Sequence, residues 1–388
     1  MGELEQLRGR IDELDRELLK LFTERMGICT KVGEYKLRIG AKVLDPEREK
    51  QVLDSKLKML DKPELKSEVY DFFSNIMTIS RTIQGRLMSD AEGGDACDKV
   101  IERAKPSVKN PKVAYFGDEG SYTEEAAIKY FGEEVSRSCK SDFMAVLKLA
   151  AEGEADYAVV PIENSSTGTV ADVSELIADM GLYIIGEVYV PVRHCLVGLD
   201  GTETDKIKKI YSHNQAIMQC SDFLGKLSGA EAEDYLSTAR SAKKVAELND
   251  KTCAAIASER TAKLYNLTVL EKNIANNSCN TTRFAVTAKR PEMDDKSNKI
   301  SVVFTLMHES GQLYRILGAF ARCGLNLLKL ESRPIADRPF EYRFYADYTG
   351  NLMDENVKAV TDEVIRETQS FDILGCYDEW NGSTRRII

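Results

Sequence analysis

Residues 3–38 read ELEQLRGRIDELDRELLKLFTERMGICTKVGEYKLR, with apolar side chains at Leu4, Leu7, Ile11, Leu14, Leu18 and Leu21. Spacings of three and four alternate, which on a period of 3.6 residues keeps these side chains on one stripe, so one long amphipathic helix is predicted over about Leu4 to Arg38. A second helix has a clear start. In Leu44-Asp45-Pro46-Glu47 the aspartate reads as N-cap and the proline as first helical residue, where its missing N–H costs nothing. Leu53, Leu57 and Leu60 form its apolar face. A third helix is predicted from about Glu64 to Leu87, with Val69, Phe72, Phe73, Ile76, Ile79, Ile83 and Leu87 facing inward. Residues 1–90 are therefore expected to form an all-helical domain.

Outward from this segment, residues 89–111 (SDAEGGDACDKVIERAKPSVKNP) are rich in glycine, proline and charge, so 91–110 are expected to be a linker. The pattern then changes. KVAYF, YAVVPI, LYIIGEVYV, KIYS, CAAIA and FAVTA are short apolar runs alternating with helical stretches that begin near Thr123, Ala171 and Gln215, which predicts an α/β domain over 111–289. After RPEMDDKSNK come a strand (ISVVFTLM), a helix (about Gln312 to Cys323), two strands (NLLKLESRPI and FEYRFYADY), a helix (about Glu355 to Thr368) and a strand (DILGCY). That order, βαββαβ, is the one of a ferredoxin-like domain, expected over 299–380. The chain reads as multidomain.

Composition limits what these domains do. The 388 residues, 43% hydrophobic and 30% charged, suit two or three ordinary globular domains. No apolar run approaches the length of a membrane span, so no membrane partner is expected. The N-terminus is charged and heptad-patterned, unlike a secretory signal or a transit peptide, and a cytoplasmic chain starting at Met1 is expected. Nine cysteines, at 29, 97, 139, 195, 220, 253, 279, 323 and 376, form no C-x-x-C and have no nearby histidine cluster, so neither a disulfide framework nor a metal site is expected. The net charge of −10 repels phosphate backbones and argues against a nucleic-acid partner. An anionic substrate must find locally arranged cations.

The helical segment offers such cations. Arg25 and Lys36 are eleven residues apart, so on an ideal helix they differ in direction by about 20° and lie about 16 Å apart along the axis. Two cations on one face can hold a small dicarboxylate. Arg8 points about 100° away from Arg25 and suits a site on a partner chain instead. Arg48 and Glu49 follow on the second helix, and Ser80 and Gln84 lie one turn apart on the third. Singly, each is as well explained by solvation or by a satisfied polar partner; the signal is in the set.

LRGRIDELDRELLKLFTERMGICTKVGEYK, DPEREK and SRTIQ resemble the all-helical chorismate mutase family over roughly residues 3–88. The resemblance implies that Arg25, Lys36, Arg48, Glu49, Ser80 and Gln84 line a chorismate pocket, and that Arg8 crosses from the second protomer of an intertwined dimer. The implied rearrangement breaks an ether C–O bond while a C–C bond forms, and needs no nucleophile or base. Arginines would hold the two carboxylates in the compact conformer. Lys36 and Gln84 would donate to the ether oxygen as charge develops there, while Glu49 binds the hydroxyl. Asp45 is explained by its cap alone.

In the middle segment Gly117 and Gly120 permit a tight turn, and Ser121 with Glu124 forms a capping-box pattern whose free N–H groups can bind a carboxylate. Four more polar loops, 163–169 (ENSSTGT), 212–215 (SHNQ), 237–241 (STARS) and 280–284 (NTTRF), suit binding loops beyond strand ends. VVPIEN-S-S-T-G, YSH…QC, STA-x-SA and TRF, in this order, resemble prephenate dehydratase over about residues 111–289. The resemblance implies a two-lobed α/β domain of the periplasmic-binding-protein kind with its site in the cleft. It makes Thr282 the catalytic threonine, with Arg283 beside it and Ser121, Glu163, Asn164, Ser212, Gln219 and Thr238 as pocket residues. Loss of carbon dioxide with expulsion of a ring hydroxyl needs a cation for the carboxylate and a donor for the departing oxygen. Thr282 would be that donor, in a desolvated and preorganised pocket. His213 reads as a structural residue at a strand end rather than as an acid, and His194 and His308 have no supporting motif. Asn214 stands where the family usually has proline, which alters the local loop.

Residues 299 to about 380 resemble an ACT domain, a small-molecule regulatory module. Glu331-Ser332-Arg333-Pro334 matches a motif associated with phenylalanine binding, whereas the companion Gly-Ala-Leu is Gly311-Gln312-Leu313 here, where the glutamine would narrow the pocket or add a hydrogen bond. Together the segments resemble the bifunctional chorismate mutase/prephenate dehydratase family. That implies chorismate and prephenate as substrates, L-phenylalanine as effector, no cofactor, and at least a homodimer. A dehydrogenase in place of the dehydratase would need G-x-G-x-x-G after a strand, and the chain has none. A solute-binding receptor leaves the Thr282-Arg283 phrase unexplained, a purely structural C-terminal module would serve dimerisation alone, and arogenate fits the dehydratase motifs as prephenate does.

Overall fold

The computed structural model describes residues 2–92, 96–170, 172–307, 311–335 and 338–382, and of 86 and 88–92 the backbone only; His308 lies outside the described residues. The described chain groups into two compact units, one of Met1–Lys99, Leu306–Gly324 and Glu355–Gln369, the other of Val100–Thr305, Leu325–Asp354 and Ser370–Ile388.

The first unit is helical. Its N-terminal part is α1 (Glu3–Ile39), α2 (Pro46–Lys58) and α3 (Lys66–Glu92). Asp45 accepts the Arg48 N–H at 3.0 Å and Pro46 opens α2, as the cap signal predicts. α1 and α3 run in the same direction, since Ser80 meets Met26 and Gln84 meets Gly33. Gly33 permits this approach: a Cβ there would lie 3.0 Å from Gln84 Cγ and 3.2 Å from its Cα. The N-terminal half of α1 turns its whole apolar stripe to solvent, with Leu4, Leu7, Ile11, Leu14, Leu18 and Leu21 all exposed.

Within 91–110, read from the sequence as a linker, stands α4 (Ala96–Arg103), with Cys97 and Val100 buried. The stretch after it is pinned by Lys105 N donating to Pro291 O and Val108 N to the Tyr157 hydroxyl. An amphipathic octamer with apolar residues three apart was hidden by the surrounding glycine and charge.

The second unit carries three sheets. Its chain runs β1 (Lys112–Phe116), α5 (Tyr122–Phe131), β2 (Ser136–Lys140), α6 (Phe143–Glu152), β3 (Tyr157–Asn164), β4 (Gly168–Thr169), α7 (Val173–Asp179) and β5 (Tyr183–Pro191). It continues with β6 (Cys195–Gly198), β7 (Lys209–Ser212), α8 (Asn214–Gln219), α9 (Ser221–Leu224), β8 (Glu231–Asp234), α10 (Thr238–Leu248), β9 (Cys253–Ala257), α11 (Glu259–Leu264), β10 (Thr268–Glu271) and β11 (Thr281–Ala288). Strands β2-β1-β3-β11-β5 form one mixed sheet, with β4 paired to β3, and β10-β6-β9-β7-β8 form another. The chain thus leaves the first sheet after β5, builds the second, and returns to the first as β11 between β3 and β5.

The C-terminal segment follows as β12 (Lys299–Thr305), α12 (Gln312–Arg322), β13 (Leu327–Pro334), β14 (Tyr342–Thr349), α13 (Glu355–Glu367) and β15 (Ser370–Tyr377). Its strands make an antiparallel sheet in the order β13-β14-β12-β15. This sheet shares a core with the first: Val303, Tyr345, Leu374 and Tyr377 cluster with Val146, Leu147, Ile177 and Ile184. Gly375 makes the closeness possible, because a Cβ there would lie 1.9 Å from Ile184 O. The helices α12 and α13 belong to the first unit, where α13 packs on α3.

Candidate active sites

In the helical unit the predicted residues divide. Arg25 donates from Nη1 to Ser80 Oγ at 2.6 Å, so α1 and α3 bring this pair together beside Gln84. Gln84 is buried, and its Oε1 has no hydrogen-bond partner among the described residues. A buried amide oxygen without a donor is costly. Lys36 donates to Val43 O at 2.6 Å, Arg48 is exposed, and Arg8 is exposed at the far end of α1. Glu49 is engaged from α3 by Arg81, whose Nη1 lies 2.5 and 2.6 Å from its two oxygens. Arg81 also donates to Glu367 on α13 at 3.2 Å. Sequence reasoning passed over Arg81, although an arginine next to Ser80 on a helix otherwise apolar inward was a visible signal.

In the α/β unit one cluster forms around Asn164 at the end of β3. Its Oδ1 accepts from Ser166 N at 2.9 Å, Thr167 N at 3.1 Å and Thr167 Oγ1 at 3.2 Å. Its Nδ2 donates to Thr282 Oγ1 at 2.9 Å and to Asn280 Oδ1 at 2.7 Å. Antiparallel pairing places Thr282 opposite Asn164, so the two predicted residues meet through sheet register. From α8, Gln215 reaches Thr167 Oγ1 at 3.3 Å.

Arg283 and Glu163 are not on that face. Side chains alternate along a strand, and their partners lie on the other side: Arg283 donates to Glu187 at 2.7 Å, to Asp347 at 2.7 Å and to the Tyr377 hydroxyl at 3.1 Å, and approaches Glu163 at 3.5 Å. Lys299 completes this buried hub with two contacts of 3.0 Å to Glu187. Against the penalty of burial, the Tyr377 hydroxyl and the Asp347 and Glu187 carboxylates hold the guanidinium charged. Its Nε, Nη1 and Nη2 all make contacts within this hub, so Arg283 is turned away from the face that carries Thr282. Period-two alternation was legible in TTRF, and it already separates Thr282 from Arg283.

The remaining predicted residues spread over the loops. Ser121 caps α5, accepting the Glu124 N–H at 3.3 Å, while Glu124 accepts from Gly120 N at 2.7 Å. Ser212 is fully buried and donates to Ile256 O at 3.0 Å, a bond inside the second sheet rather than on an open surface. Thr238 opens α10, whose cap Ser237 donates to Asp118 at 2.9 Å; Arg240 joins the same carboxylate at 2.7 Å, tying α10 to the loop after β1. Gln219 contacts His194 Nε2 through Oε1 at 3.0 Å, and His194 Nδ1 lies 3.4 Å from the Tyr122 hydroxyl. Burial holds the His194 imidazole below its ordinary pKa, against the raising effect of Gln219. His213 caps α8, its Nδ1 accepting from Gln215 N at 3.2 Å. The histidine beside a predicted pocket residue is therefore His194, which no sequence motif singled out.

In the C-terminal segment Glu331 on β13 accepts from Thr169 Oγ1 at 2.6 Å and from Arg333 Nε at 2.7 Å, while Ser332 and Pro334 face outward. Gln312 is buried at the start of α12, donates to Glu367 O and accepts from Arg315. Gly311 caps that helix with a φ of 80°, and Leu313 follows half-buried. Gly311, Gln312 and Leu313 fall in the helical unit, and the Glu331 motif in the other.

Residues 7–85 match the chorismate mutase type II family and residues 113–292 the prephenate dehydratase family. Over 382 residues, 97% of this chain and 96% of the relative, the sequence is 34% identical to a bifunctional chorismate mutase/prephenate dehydratase of Enterobacter agglomerans. The chain belongs to the bifunctional chorismate mutase/prephenate dehydratase family. Among solved structures it is similar to GqqA, described as a novel type of quorum-quenching acylase, with a TM-score of 0.64, 27% identity, and 70% of this chain and 98% of that one covered. It is likewise similar to the prephenate dehydratase of Arthrobacter aurescens in complex with L-Phe, with a TM-score of 0.63, 29% identity, and 71% and 93% covered. No helix among the described residues is long and apolar enough to cross a membrane.

Proposed function

We propose that this enzyme rearranges chorismate to prephenate in an all-helical domain at 1–90 and converts prephenate to phenylpyruvate in a two-lobed domain at 111–289. The end-to-end match to a bifunctional relative carries the reading, since it spans both domains and the segment between them. In the mutase, Arg25, Arg48 and the partner-derived Arg8 hold carboxylates, and Ser80 orients Arg25. Lys36 and the NH2 of Gln84 donate to the ether oxygen, and Glu49 takes the hydroxyl once substrate displaces Arg81. In the dehydratase, the electron pair of the carboxylate C–C bond moves into the ring as the C–O bond to the ring hydroxyl breaks. The ring becomes aromatic, carbon dioxide leaves, and the departing oxygen takes up one proton from solvent to become water. Thr282 donates a hydrogen bond to that oxygen as its charge grows. Ser121, Gln219 and Thr238 line the loops that hold the acid; Arg283, Glu163 and Ser212 support the sheets beneath.

Likeness to an acylase of the same fold is weighed on chemistry, because fold does not decide activity. An acyl-transfer nucleophile needs a base within hydrogen-bond reach. Thr282 Oγ1 instead accepts from an amide, an arrangement for a donor and not for a nucleophile.

The C-terminal segment at 299–380 is proposed as an ACT module through which L-phenylalanine inhibits. Its sheet order and the similarity to a dehydratase solved with L-Phe support this. Inhibition requires that phenylalanine bind the less active state more tightly. One time course tests the whole reading: purified protein with chorismate, following chorismate, prephenate and phenylpyruvate with and without phenylalanine. Phenylpyruvate should accumulate and phenylalanine should slow it. Prephenate that accumulates unconsumed would refute the dehydratase assignment, and untouched chorismate the mutase assignment.

A further inference from the structure

The polarity of the Thr282 hydroxyl is fixed by the hydrogen bonds around Asn164. Two backbone N–H groups, of Ser166 at 2.9 Å and Thr167 at 3.1 Å, point at one end of the Asn164 amide. A backbone N–H can only donate, so that end is the carbonyl oxygen and the opposite end is the NH2. The NH2 has two protons, and two acceptors stand before it: Asn280 Oδ1 at 2.7 Å and Thr282 Oγ1 at 2.9 Å. Since Thr282 accepts through one lone pair, its own proton points elsewhere. Among the described residues none is placed to accept it.

We propose that Asn280 is a positioning residue of the dehydratase, which by holding one N–H of Asn164 keeps the other on Thr282 and so presents the threonine as a donor to the departing oxygen. Asn280 is itself held. It is 3% exposed, and its backbone carbonyl accepts from Val192 N at 2.8 Å. Thr281 N, next along the chain, donates to Ser165 Oγ at 2.9 Å. Asn280 and Thr282 are two residues apart and so share one side of the chain as it enters β11, where both reach the same amide. Without the Asn280 acceptor, one buried N–H of Asn164 is unpaired, and the amide rotates or recruits water. Either outcome frees Thr282 to turn its proton away from the leaving oxygen, and misplacement on that scale costs about 10- to 100-fold in rate.

The assignment rests on the dehydratase reading, and the experiment separates the two. Full-length chain, Asn280→Ala and Asn280→Asp are compared for prephenate turnover, for chorismate rearrangement as an internal control, and for thermal unfolding. The expected result is a kcat for prephenate lowered about 10- to 100-fold in Asn280→Ala, with KM within about twofold. Asn280→Asp, which keeps an acceptor oxygen in place, should recover most of the rate. Mutase activity should be unchanged in both. Full kcat in Asn280→Ala, a loss confined to KM, or an Asp variant no better than the Ala variant each overturns the assignment. If Asn280→Ala does not fold, Asn280→Asp against Asn280→Ser decides, because a serine hydroxyl is too short to reach the amide. If the unmodified chain leaves prephenate intact, the dehydratase reading is wrong and the Asn280 assignment falls with it.

Discussion

Thr282 and Arg283 are adjacent in sequence and opposite in environment. Thr282 meets one amide; Arg283 is the centre of a buried hub of Glu187, Asp347, Tyr377 and Lys299. Removing one partner of a buried ion pair leaves the other charge uncompensated, at a cost of about 3–5 kcal/mol. Arg283→Met should therefore destabilise the α/β unit by that order, read as a lower urea midpoint, whereas Thr282→Val should abolish prephenate turnover at a smaller cost of about 1–3 kcal/mol, from the Asn164 N–H it leaves unpaired. An Arg283→Met protein as stable as the unmodified one, but unable to bind prephenate, would return Arg283 to the pocket. The pH dependence follows from Asp347. Burial pushes its carboxyl up, but the Arg283 cation and the Ser301 hydroxyl outweigh it and hold the pKa below the ordinary value. A folded pKa below the unfolded one means stability that is present above about pH 3.9 and lost as pH falls through the folded value. Without the Arg283 cation the Asp347 pKa rises, although Ser301 and Lys299 still lower it, so acid unfolding of Arg283→Met should begin at higher pH. Much of this was legible: the Ser121–Glu124 cap is local, and alternation already sets Thr282 and Arg283 apart. The meeting of Asn164 with Thr282 and Asn280 was not, since it depends on which strand pairs with β11 and in what register.

At the scale of elements, α1 shows what a single chain leaves unfinished. Its six leading apolar residues are exposed, Leu4 at 60% and Leu7 at 59% among them, a contiguous stripe that soluble helices bury against a partner. The same helix displays Arg8 away from Arg25. The two observations support a second copy of the chain as the partner. Leu14→Glu combined with Leu18→Glu places charge in the middle of the stripe and should convert the proposed dimer to monomer in sedimentation. Chorismate turnover should fall by two orders of magnitude or more as Arg8 is lost from the site, while prephenate turnover persists. Monomers that keep the mutase rate would show the site to be complete within one chain. Helices of this length declare themselves by period and caps, so α1, α2 and α3 were readable to within a few residues. α4 was missed because glycine and charge around it dominate the composition of its window.

The whole molecule divides in a way that chain order conceals. The C-terminal segment reads along the sequence as one module, yet α12 and α13 group with the N-terminal helices and β12 to β15 with the α/β sheets. Local pattern identifies elements, and only tertiary contact decides which of them share a core. The consequence is physical, because Lys299 and Ser301 on β12, Asp347 on β14 and Tyr377 on β15 supply the far side of the Arg283 hub, and Val303, Tyr345 and Leu374 cover one face of the first sheet. A chain ending at residue 298 would lose those side chains and leave Arg283 and Glu187 with each other and with the more distant Glu163 and Tyr189, at 3.5 and 3.3 Å, on an uncovered apolar face. Truncation should therefore lower the melting temperature of the α/β unit and its prephenate turnover together, beyond any loss of response to phenylalanine. If the truncated chain instead melts where the full chain does and turns over prephenate at full rate, the C-terminal sheet is a detachable regulator. In that case the hub contributes little to the fold.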